Sequence, residues 1–334
     1  MQKSIAPTLL DVARHAGVNK VTASIVLSGG SGNTRVAETT RQRILASARE
    51  LQYQPNAVAR SLRRRHTHII GFYMSGSLDT RNPFLAEIIS GLHAGCEEHH
   101  RDFLIHGAIR GRAIDDIVAE LLNGKVDGLA LHVSTDDALV ARLAASPLPV
   151  IALANPVPAL PSVVADEVAG GRLLVEHLAL GGRRSLFYIG SPFPLSSAIR
   201  RAEAFEVAAQ QHGLLLLESR ADDPESTGLP AVEEFLALPA SRRPSAIACW
   251  NDALAYRVVE ALRARRIRIP EQVAVVGFDG SRSAIPAAYT LTTVRAPWRQ
   301  VAQTAVSLLI AQQAGQPPPP ETMLPVEFVH GDTA

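Results

Sequence analysis

The stretch that decides the fold is TLLDVARHAGVNKVTASIVL, residues 8–27. Thr8 can cap a helix over residues 9–16, a glycine then breaks it, and Asn19 can cap a second helix over residues 20–27. Two short helices joined by a glycine turn have helix-turn-helix spacing. Many amphipathic helix pairs share that spacing, so this feature alone leaves DNA binding and a plain helical domain equally open.

A third helix is predicted over residues 38–51, after a glycine-rich loop. Three short helices of this kind can bury one shared apolar core. We expect that core to contain Leu10, Val12, Ala13, Val18, Ala23, Val26 and Ile44. The sequence therefore predicts an all-α head over residues 1–54.

The charges of the chain are segregated, although its formal net charge is only +1. Residues 1–66 hold 11 Lys and Arg against 3 Asp and Glu, a balance of +8. The totals of 33 basic and 32 acidic residues then leave 22 and 29 for the rest, a balance of −7. A basic head is typical of a protein that meets a polyanion, because Lys and Arg that neutralise phosphates release counterions. An ordinary solvated face would carry the same charges, so charge alone does not decide.

Length and composition exclude several classes of protein. The 334 residues are 47% hydrophobic, yet no apolar run reaches the ~18–20 residues that a membrane-spanning helix needs. Residues 1–7 lack the features of a signal peptide, and Cys96 and Cys249 are too few for a disulfide framework. The His99–His100 pair has no metal-ligand spacing around it. We therefore expect a cytoplasmic chain with no membrane partner, no metal and no cofactor.

Beyond residue 68, short apolar runs alternate with amphipathic stretches, which is typical of strands and helices that build parallel sheets. Two doubly wound halves that face each other would form a cleft at the carboxyl ends of their strands. The predicted strands are residues 69–74, 103–109, 128–131 and 150–153, then 186–189, 214–217, 246–249 and 273–276, with a last strand at 324–329. The predicted helices between them include residues 84–98, 169–180, 202–212 and 253–265.

The continuation of the opening stretch is more specific than its spacing. TLLDVARHAGVNKVTASIVLSGG is followed by TRQRILASARELQYQPNAVARSL and IIGFYM, and later by NPF, WND, VGFD and LTTVR. In order and spacing these segments resemble the lactose-repressor (LacI/GalR) family of bacterial transcriptional regulators over nearly the whole chain. The resemblance implies an all-α helix-turn-helix head and an α/β, periplasmic-binding-protein-like body of two doubly wound parallel-sheet lobes. It also implies a hinge helix and linker over residues 55–67, and an effector-binding and dimerisation domain over residues 68–334.

The same resemblance implies how DNA is bound. Family members are dimers that read an inverted repeat in double-stranded operator DNA, with the recognition helix in the major groove. Matching positions give Lys20, Val21 and Ile25 the role of reading bases, and Thr22 and Ser24 the role of holding phosphates. Ile25 stands where most members have arginine, which leaves the operator sequence open.

The hinge helix is implied to enter the minor groove through Asn56, Ala59 and Leu62, with Leu62 wedged between base pairs. A contact of Leu62 with a small protein core is the alternative. We expect a homodimer rather than a tetramer, because no leucine heptads follow the last strand. The dimer interface is expected to bury apolar residues of the helix over residues 84–98, such as Leu85 or Ile88.

A small-molecule effector is implied to bind between the lobes. The positions that match the family's ligand contacts are Phe84, Ser134, Arg201, Asn251 and Asp279. A guanidinium supplies a rigid fork of donors for hydroxyls or carboxylates. A surface arginine beside Arg200 is the alternative for Arg201, and Asp252 is expected to hold the local turn.

Two features of the cleft depart from the family's pattern. The position before Phe205, which is usually glycine in the family, is Ala204 in this chain. Asp223 lies where family members frequently have an aromatic residue that stacks on the ligand. The aspartate indicates either a strongly polar ligand or a shifted loop.

Two rival functions remain to be weighed. A two-lobed sugar-binding protein would share the body, but the basic head and the missing signal peptide argue against it. An α/β enzyme such as a nicotinamide dehydrogenase would need a strand that runs into a Gly-x-Gly-x-x-Gly turn, and none does so here. No catalytic residue is therefore expected.

Overall fold

In this computed structural model the chain divides into two compact units, Met1–His68 and Ile69–Ala334. Each unit has its own apolar core. The structure describes residues 7–27, 36–54, 61, 66–76, 78–79, 81–107, 111–220, 229–281 and 289–334.

The first unit contains the helices α1 (Leu9–His15), α2 (Lys20–Leu27) and α3 (Glu38–Glu50). The N-termini of α1 and α2 are capped as expected. The Thr8 hydroxyl accepts from the Asp11 N–H at 3.3 Å, and the Asp11 carboxylate accepts from the Thr8 N–H at 2.8 Å. Asn19 Oδ1 accepts from the Thr22 N–H at 2.7 Å. These caps satisfy backbone donors that have no partner inside the helix, and so they fix where each helix begins.

The core of the first unit agrees with the sequence except at one position. Val12, Ala13, Ala23, Val26 and Ile44 are buried, and Val18 packs against them. The placement of Leu10 in that core is wrong, because 41% of its surface is exposed. Residues 9, 12, 13 and 16 share one face of α1, and residue 10 is turned about 100° away from residue 9.

The first lobe of the second unit is a parallel sheet with strand order β11-β5-β4-β3-β1-β2 among the described residues. Ile70 of β1, the strand next to the edge strand β2, pairs with Phe103 on one side and with Gly128 on the other. The strands are β1 (Ile69–Met74), β2 (Asp102–His106), β3 (Gly128–His132), β4 (Val150–Leu153), β5 (Ser162–Ala165) and β11 (Glu321–Leu324). The helices are α4 (Pro83–Glu98), α5 (Ile114–Leu121), α6 (Leu139–Ala144) and α11 (Trp298–Gln313).

The second lobe is a parallel sheet with order β7-β6-β8-β9, beside an antiparallel pair of β10 and β12. Its strands are β6 (Ser185–Gly190), β7 (Leu215–Arg220), β8 (Ala246–Cys249), β9 (Ala274–Val276), β10 (Thr293–Arg295) and β12 (Glu327–Val329). Its helices are α7 (Glu167–Leu180), α8 (Ser196–Gln211), α9 (Leu229–Ala237) and α10 (Asp252–Ala264), with a short 3-10 turn at Ala240–Arg242.

The chain crosses between the lobes after β5, after β10 and after β11. The single last strand expected over residues 324–329 is therefore wrong. β11 pairs with β5 in the first lobe, whereas β12 pairs with β10 in the second. Pro325 lies between them and has no N–H to donate to a sheet, so it separates two strands that hydropathy joins into one.

Leu85 and Ile88 are wrong as examples of residues in a dimer interface, whereas a contact through other apolar residues of α4 stays a prediction. Both side chains are only 1% exposed in their own lobe, where α4 packs closely on α11. A Cβ atom added at Gly91 would lie 2.2 Å from the Arg299 carbonyl oxygen, so glycine is what allows this approach. The inward face of α4 is used within the protomer and presents no surface to a second copy.

Candidate effector cleft and DNA-reading helix

Helix α2 presents Lys20 and Val21 to solvent, and 68% of the Val21 surface is exposed. Thr22, Ser24 and Ile25 are half-buried beside the core of the unit. The predicted reading positions therefore lie on one short helix whose opposite face is anchored. Asn56, Ala59 and Leu62 fall outside the residues that the structure describes, so their roles stay predictions.

In the second unit, the first turn of α8 is tied to the first lobe by polar links. The links join Thr135 to Ser196 through their hydroxyls, Asn155 Oδ1 to the Ser197 N–H at 3.0 Å, and Glu321 to Arg200 at 2.8 Å. The same helix carries Arg201 one residue further along. Any change in the arrangement of the lobes must therefore act on the helix that holds this arginine.

Arg201 is the centre of a buried cluster and is not a surface residue, since only 3% of it is exposed. Its Nε donates to Glu167 Oε2 at 2.6 Å, and its Nη1 donates to the Trp250 carbonyl oxygen. The guanidinium carbon lies 3.6 Å from the centre of the Phe278 ring. Nη1 is also 3.8 Å from Asp279 Oδ1. Hydrogen bonds and ring stacking together fix the plane of the guanidinium.

Two glycines of α7 make room for this cluster. A Cβ atom at Gly170 would lie 2.4 Å from the Phe278 ring, and one at Gly171 would lie 2.8 Å from the Ala204 Cβ. Asp166 caps α7 by accepting from the Ala169 N–H at 2.9 Å, and Glu167 follows directly. The alanine at position 204, where the family usually has glycine, therefore fits because Gly171 of the facing helix has no side chain.

Asp279 has a strained backbone, with a φ of +116° that side-chain-bearing residues rarely adopt. Its N–H donates to the Val294 carbonyl at 2.9 Å, and its carbonyl accepts from the Ala296 N–H at 3.2 Å. Burial raises the pKa of Asp279 to about 7; Arg201 opposes the rise, and the Glu167 carboxylate adds to it. The carboxylate therefore changes charge near neutral pH.

Asn251 and Asp252 stand at the start of α10. Asn251 Oδ1 accepts from the Leu254 N–H at 2.9 Å and so caps that helix. Asp252 is fully buried and accepts from the Ser281 N–H and the Thr293 hydroxyl, each at 2.6 Å. Burial and the nearby Asp279 raise the pKa of Asp252 well above its ordinary value. Asp252 holds the local turn, as its position in the sequence suggested.

Aromatic rings cluster in the first lobe around Phe84, which was predicted to line the cleft. The Phe84 ring lies 5.3 Å from the His132 ring and meets the Trp298 indole edge-on at 5.1 Å between centres. His132 Nδ1 donates to the Leu153 carbonyl oxygen at 2.9 Å. Ser134 is half-buried just after β3.

The structure brings the five predicted cleft residues together only in part. Arg201 and Asp279 form one ion pair, and Asn251 is adjacent to the Trp250 carbonyl that Arg201 contacts. Phe84 and Ser134 belong to the other lobe. Sequence reasoning missed Glu167, Trp298 and the pair of Phe193 and Trp250. Phe193 and Trp250 could have been predicted, because each follows the carboxyl end of an apolar strand, where ligands of α/β sheets bind.

Phe193 and Trp250 form an aromatic pair with ring centres 6.3 Å apart. They follow β6 and β8, and 39% of the Phe193 surface is exposed. In the part of the chain that the structure describes, no group of three or more His, Cys, Asp or Glu side chains could hold a metal ion. No described helix is both long and apolar enough to cross a membrane.

Family models match two parts of the chain. The model for bacterial regulatory proteins of the lacI family matches residues 8–56. The model for a periplasmic binding protein-like domain matches residues 175–334. The first range contains α2, and the second contains Arg201, Phe278 and Asp279 but not Glu167.

Named relatives match the chain over most of its length. The HTH-type transcriptional repressor PurR of Photobacterium profundum is 28% identical and covers 91% of each chain. The ribose operon repressor of Escherichia coli (strain K12) is also 28% identical and covers 91% of this chain and 92% of its own.

Solved structures share the fold. A lac repressor dimer bound to operator and the anti-inducer ONPF superposes with a TM-score of 0.84 at 24% identity, covering 98% of this chain and 99% of that one. A complex of the transcriptional regulator CelR with cellobiose has a TM-score of 0.73 at 26% identity, and covers 98% and 100%.

Proposed function

Because the chain belongs to the lacI family of bacterial regulatory proteins, we propose that it is a sequence-specific transcriptional repressor controlled by a small-molecule effector. It binds an inverted-repeat operator as a homodimer, and the effector binds between the lobes of the second unit. The observation that carries the proposal is the presence in one chain of two N-terminally capped helices with helix-turn-helix spacing and of a buried Arg201–Asp279 ion pair. The proposed division is a head over residues 1–54, a hinge over 55–67 and an effector domain over 68–334.

In the head, Lys20 supplies a hydrogen-bond donor for guanine, and Val21 and Ile25 pack against thymine methyl groups. Thr22 and Ser24 hold phosphates that set the register of the helix in the groove. Asn56, Ala59 and Leu62 act in the minor groove, where Leu62 wedges the base pairs apart. The exposure of Lys20 and Val21 supports the first of these roles.

Control of DNA binding requires that the effector favour one arrangement of the lobes over another. Helix α8 is suited to this coupling because its first turn is bound to the first lobe and its next turn carries Arg201. Phe84 and Ser134 contact the effector from the first lobe, and Arg201, Asn251 and Asp279 from the second. A ligand that contacts both walls changes the relative stability of the two arrangements.

We assign the protein no catalytic residue and no cofactor, and we place it in the cytoplasm, where its DNA lies. The relatives named as repressors support this assignment. An enzyme or a sugar-binding protein of the same body would not need the basic head.

The test is a selection of binding sites from a random pool of double-stranded DNA by the full chain. We expect an enriched inverted repeat, and a complex with that repeat that contains two copies of the chain. A variant with Leu62→Ala should bind the selected site more weakly while its binding to random DNA changes little, because the wedge acts only at a kinked site. A pool with no enriched repeat would overturn the proposed function.

A further inference from the structure

Three carboxyl groups lie at or near the guanidinium of Arg201. Glu167 and Asp279 lie 2.6 Å and 3.8 Å from its nitrogens, and Asp252 stands next to Asp279. The neighbouring cation of α8, Arg200, is already paired with Glu321 at 2.8 Å. Among the described residues of this cluster, acidic groups therefore outnumber basic ones.

Glu167 is the carboxylate closest to the Arg201 guanidinium and therefore offsets most of its charge. Its side chain is only 3% exposed, and Oε2 is hydrogen-bonded to the arginine. The other oxygen, Oε1, is buried without a hydrogen-bond partner among the residues that the structure describes. A buried carboxylate cannot be screened by water, so its charge acts at full strength on what lies near the guanidinium.

The raised pKa values of these carboxylates mean that fewer of them are charged at neutral pH than their number suggests. Burial raises the pKa of Glu167, of Asp279 and of Asp252, and in each case a neighbouring carboxylate raises it further. Arg201 opposes the rise at all three groups without reversing it. Protons are held more tightly where negative charge is unfavourable.

Beside the cluster lies an apolar surface suited to a ring. Phe193 and Trp250 follow adjacent strands at the carboxyl edge, and the Trp250 carbonyl oxygen accepts from Arg201. Aromatic faces bind the apolar faces of sugar rings and of bases without requiring charge. The surroundings of Arg201 thus offer donors, acceptors and a stacking surface, but no net positive charge.

We propose that Glu167 sets the charge preference of the cleft, so that it accepts uncharged, hydroxyl-bearing ring compounds and rejects acids. Glu167 acts as a positioning residue, because it orients Arg201 and cancels its charge. Phe193 and Trp250 supply the stacking surface for the ring. This inference rests on the proposed function, since it concerns the same effector site.

The test uses the full chain and matched pairs of compounds at neutral pH. The uncharged members are glucose, galactose, ribose and adenosine, and their acidic partners are glucuronate, galacturonate, ribose 5-phosphate and adenosine 5′-monophosphate. Binding is screened by thermal shift and measured by calorimetry. We expect at least one uncharged member to bind, with its acidic partner weaker by about tenfold or more.

The decisive variant is Glu167→Gln, whose amide oxygen can still accept from Arg201 while the charge is removed. We expect it to reduce the preference against the acidic partner by about tenfold. The matched control is Glu176→Gln on the same helix, an exposed carboxylate paired with Arg172. Its effect on the ratio should stay below about threefold, because solvent and salt screen an exposed charge.

Several results would overturn the inference. One is that the wild type binds an acid more tightly than its uncharged partner. Another is that folded Glu167→Gln has the same ratio of affinities for the two partners as the wild type. A third is that no member of the panel binds. If Glu167→Gln does not fold, Glu167→Asp is used instead and must keep the preference for the uncharged partner. The ratio of wild-type affinities for the two partners then decides whether the inference holds. None of these results depends on DNA, so failure of the repressor function would appear separately, in the selection of binding sites.

Discussion

On helix α2 of the head, Lys20 and Val21 point into solvent and are held by the helix alone. In the second unit, Arg201 is buried and already bound to Glu167, to the Trp250 carbonyl and to the Phe278 ring. On a surface that binds DNA, side-chain hydrogen-bond donors stay exposed in the free protein, and the DNA supplies their acceptors. A cleft for a small ligand has to hold its charged groups in place beforehand, because the ligand itself can order very little. The two regions should therefore respond differently to substitution.

The largest effect is expected at Arg201. Arg201→Ala leaves Glu167 buried without its cation, which should lower the free energy of unfolding by about 3–5 kcal/mol. Arg200→Ala is the matched control, since its ion pair with Glu321 is partly exposed and should contribute about 0–1 kcal/mol. Urea unfolding of both variants measures the difference. Equal losses in the two variants would show that the cleft is not preorganised.

Asp279→Asn should change how stability depends on pH. The pKa of Asp279 in the folded chain is raised to about 7 from 3.8, so its contribution is fully present below pH 4 and is lost as the pH rises through 7. As the pH rises from 4 to 7, the wild type should therefore lose stability relative to Asp279→Asn. The difference between their free energies of unfolding should change by at most about 1.4 kcal/mol per pH unit. Glu167, Arg201 and Asp252 face the same carboxylate and will broaden the transition.

The measurement is urea unfolding of wild type and Asp279→Asn at several pH values. The exposed Asp115→Asn is the control and should follow the wild type. A difference between Asp279→Asn and the wild type that does not vary with pH would contradict the buried, charge-changing carboxylate.

On the head, Lys20→Ala should change DNA sequence preference without changing stability. The lysine is exposed, so its removal leaves no buried group unpaired. Loss of its bond to guanine should relax one base in each half-site by about 1–3 kcal/mol of discrimination. Binding-site selection with both proteins checks this, and identical preferences would mean that Lys20 does not read a base.

The smallest effect is expected at a helix cap. Thr8→Ala removes the hydroxyl that accepts from the Asp11 N–H and donates to the Asp11 carboxylate, and should destabilise α1 by about 1 kcal/mol. Amide hydrogen exchange of α1 in the full chain would report the loss. Thr39→Ala, an exposed position near the start of α3, is the control and should change exchange little. Equal protection in the two variants would argue against the cap.

The same comparison explains what could be predicted from the sequence. The bounds of α2 and of β4 were predicted as the structure has them, because local caps, glycine and short apolar runs determine them. The exposure of Leu10 and the division of the last strand at Pro325 were missed, because hydropathy alone does not show which face or which sheet a residue joins.

The cleft was harder to predict than the head. Arg201 and Asp279 were selected through a family resemblance, but Glu167 was not, although it lies 2.6 Å from Arg201. Its position depends on the close approach of α7 to α8 at Gly171 and to Phe278 at Gly170. A contact made by packing between distant segments leaves no periodic signal in either segment.

The central claim is that a ligand in the cleft controls the head. The most direct measurement is the affinity of the full chain for its selected operator, with and without the uncharged ring compound that binds it, for wild type and Asp279→Asn. We predict that the compound changes the operator affinity of the wild type by roughly 5–150-fold, the usual range of such coupling. Asp279→Asn should bind the operator like ligand-free wild type and should not respond. An operator affinity of the wild type that is unchanged at saturating compound would contradict the account.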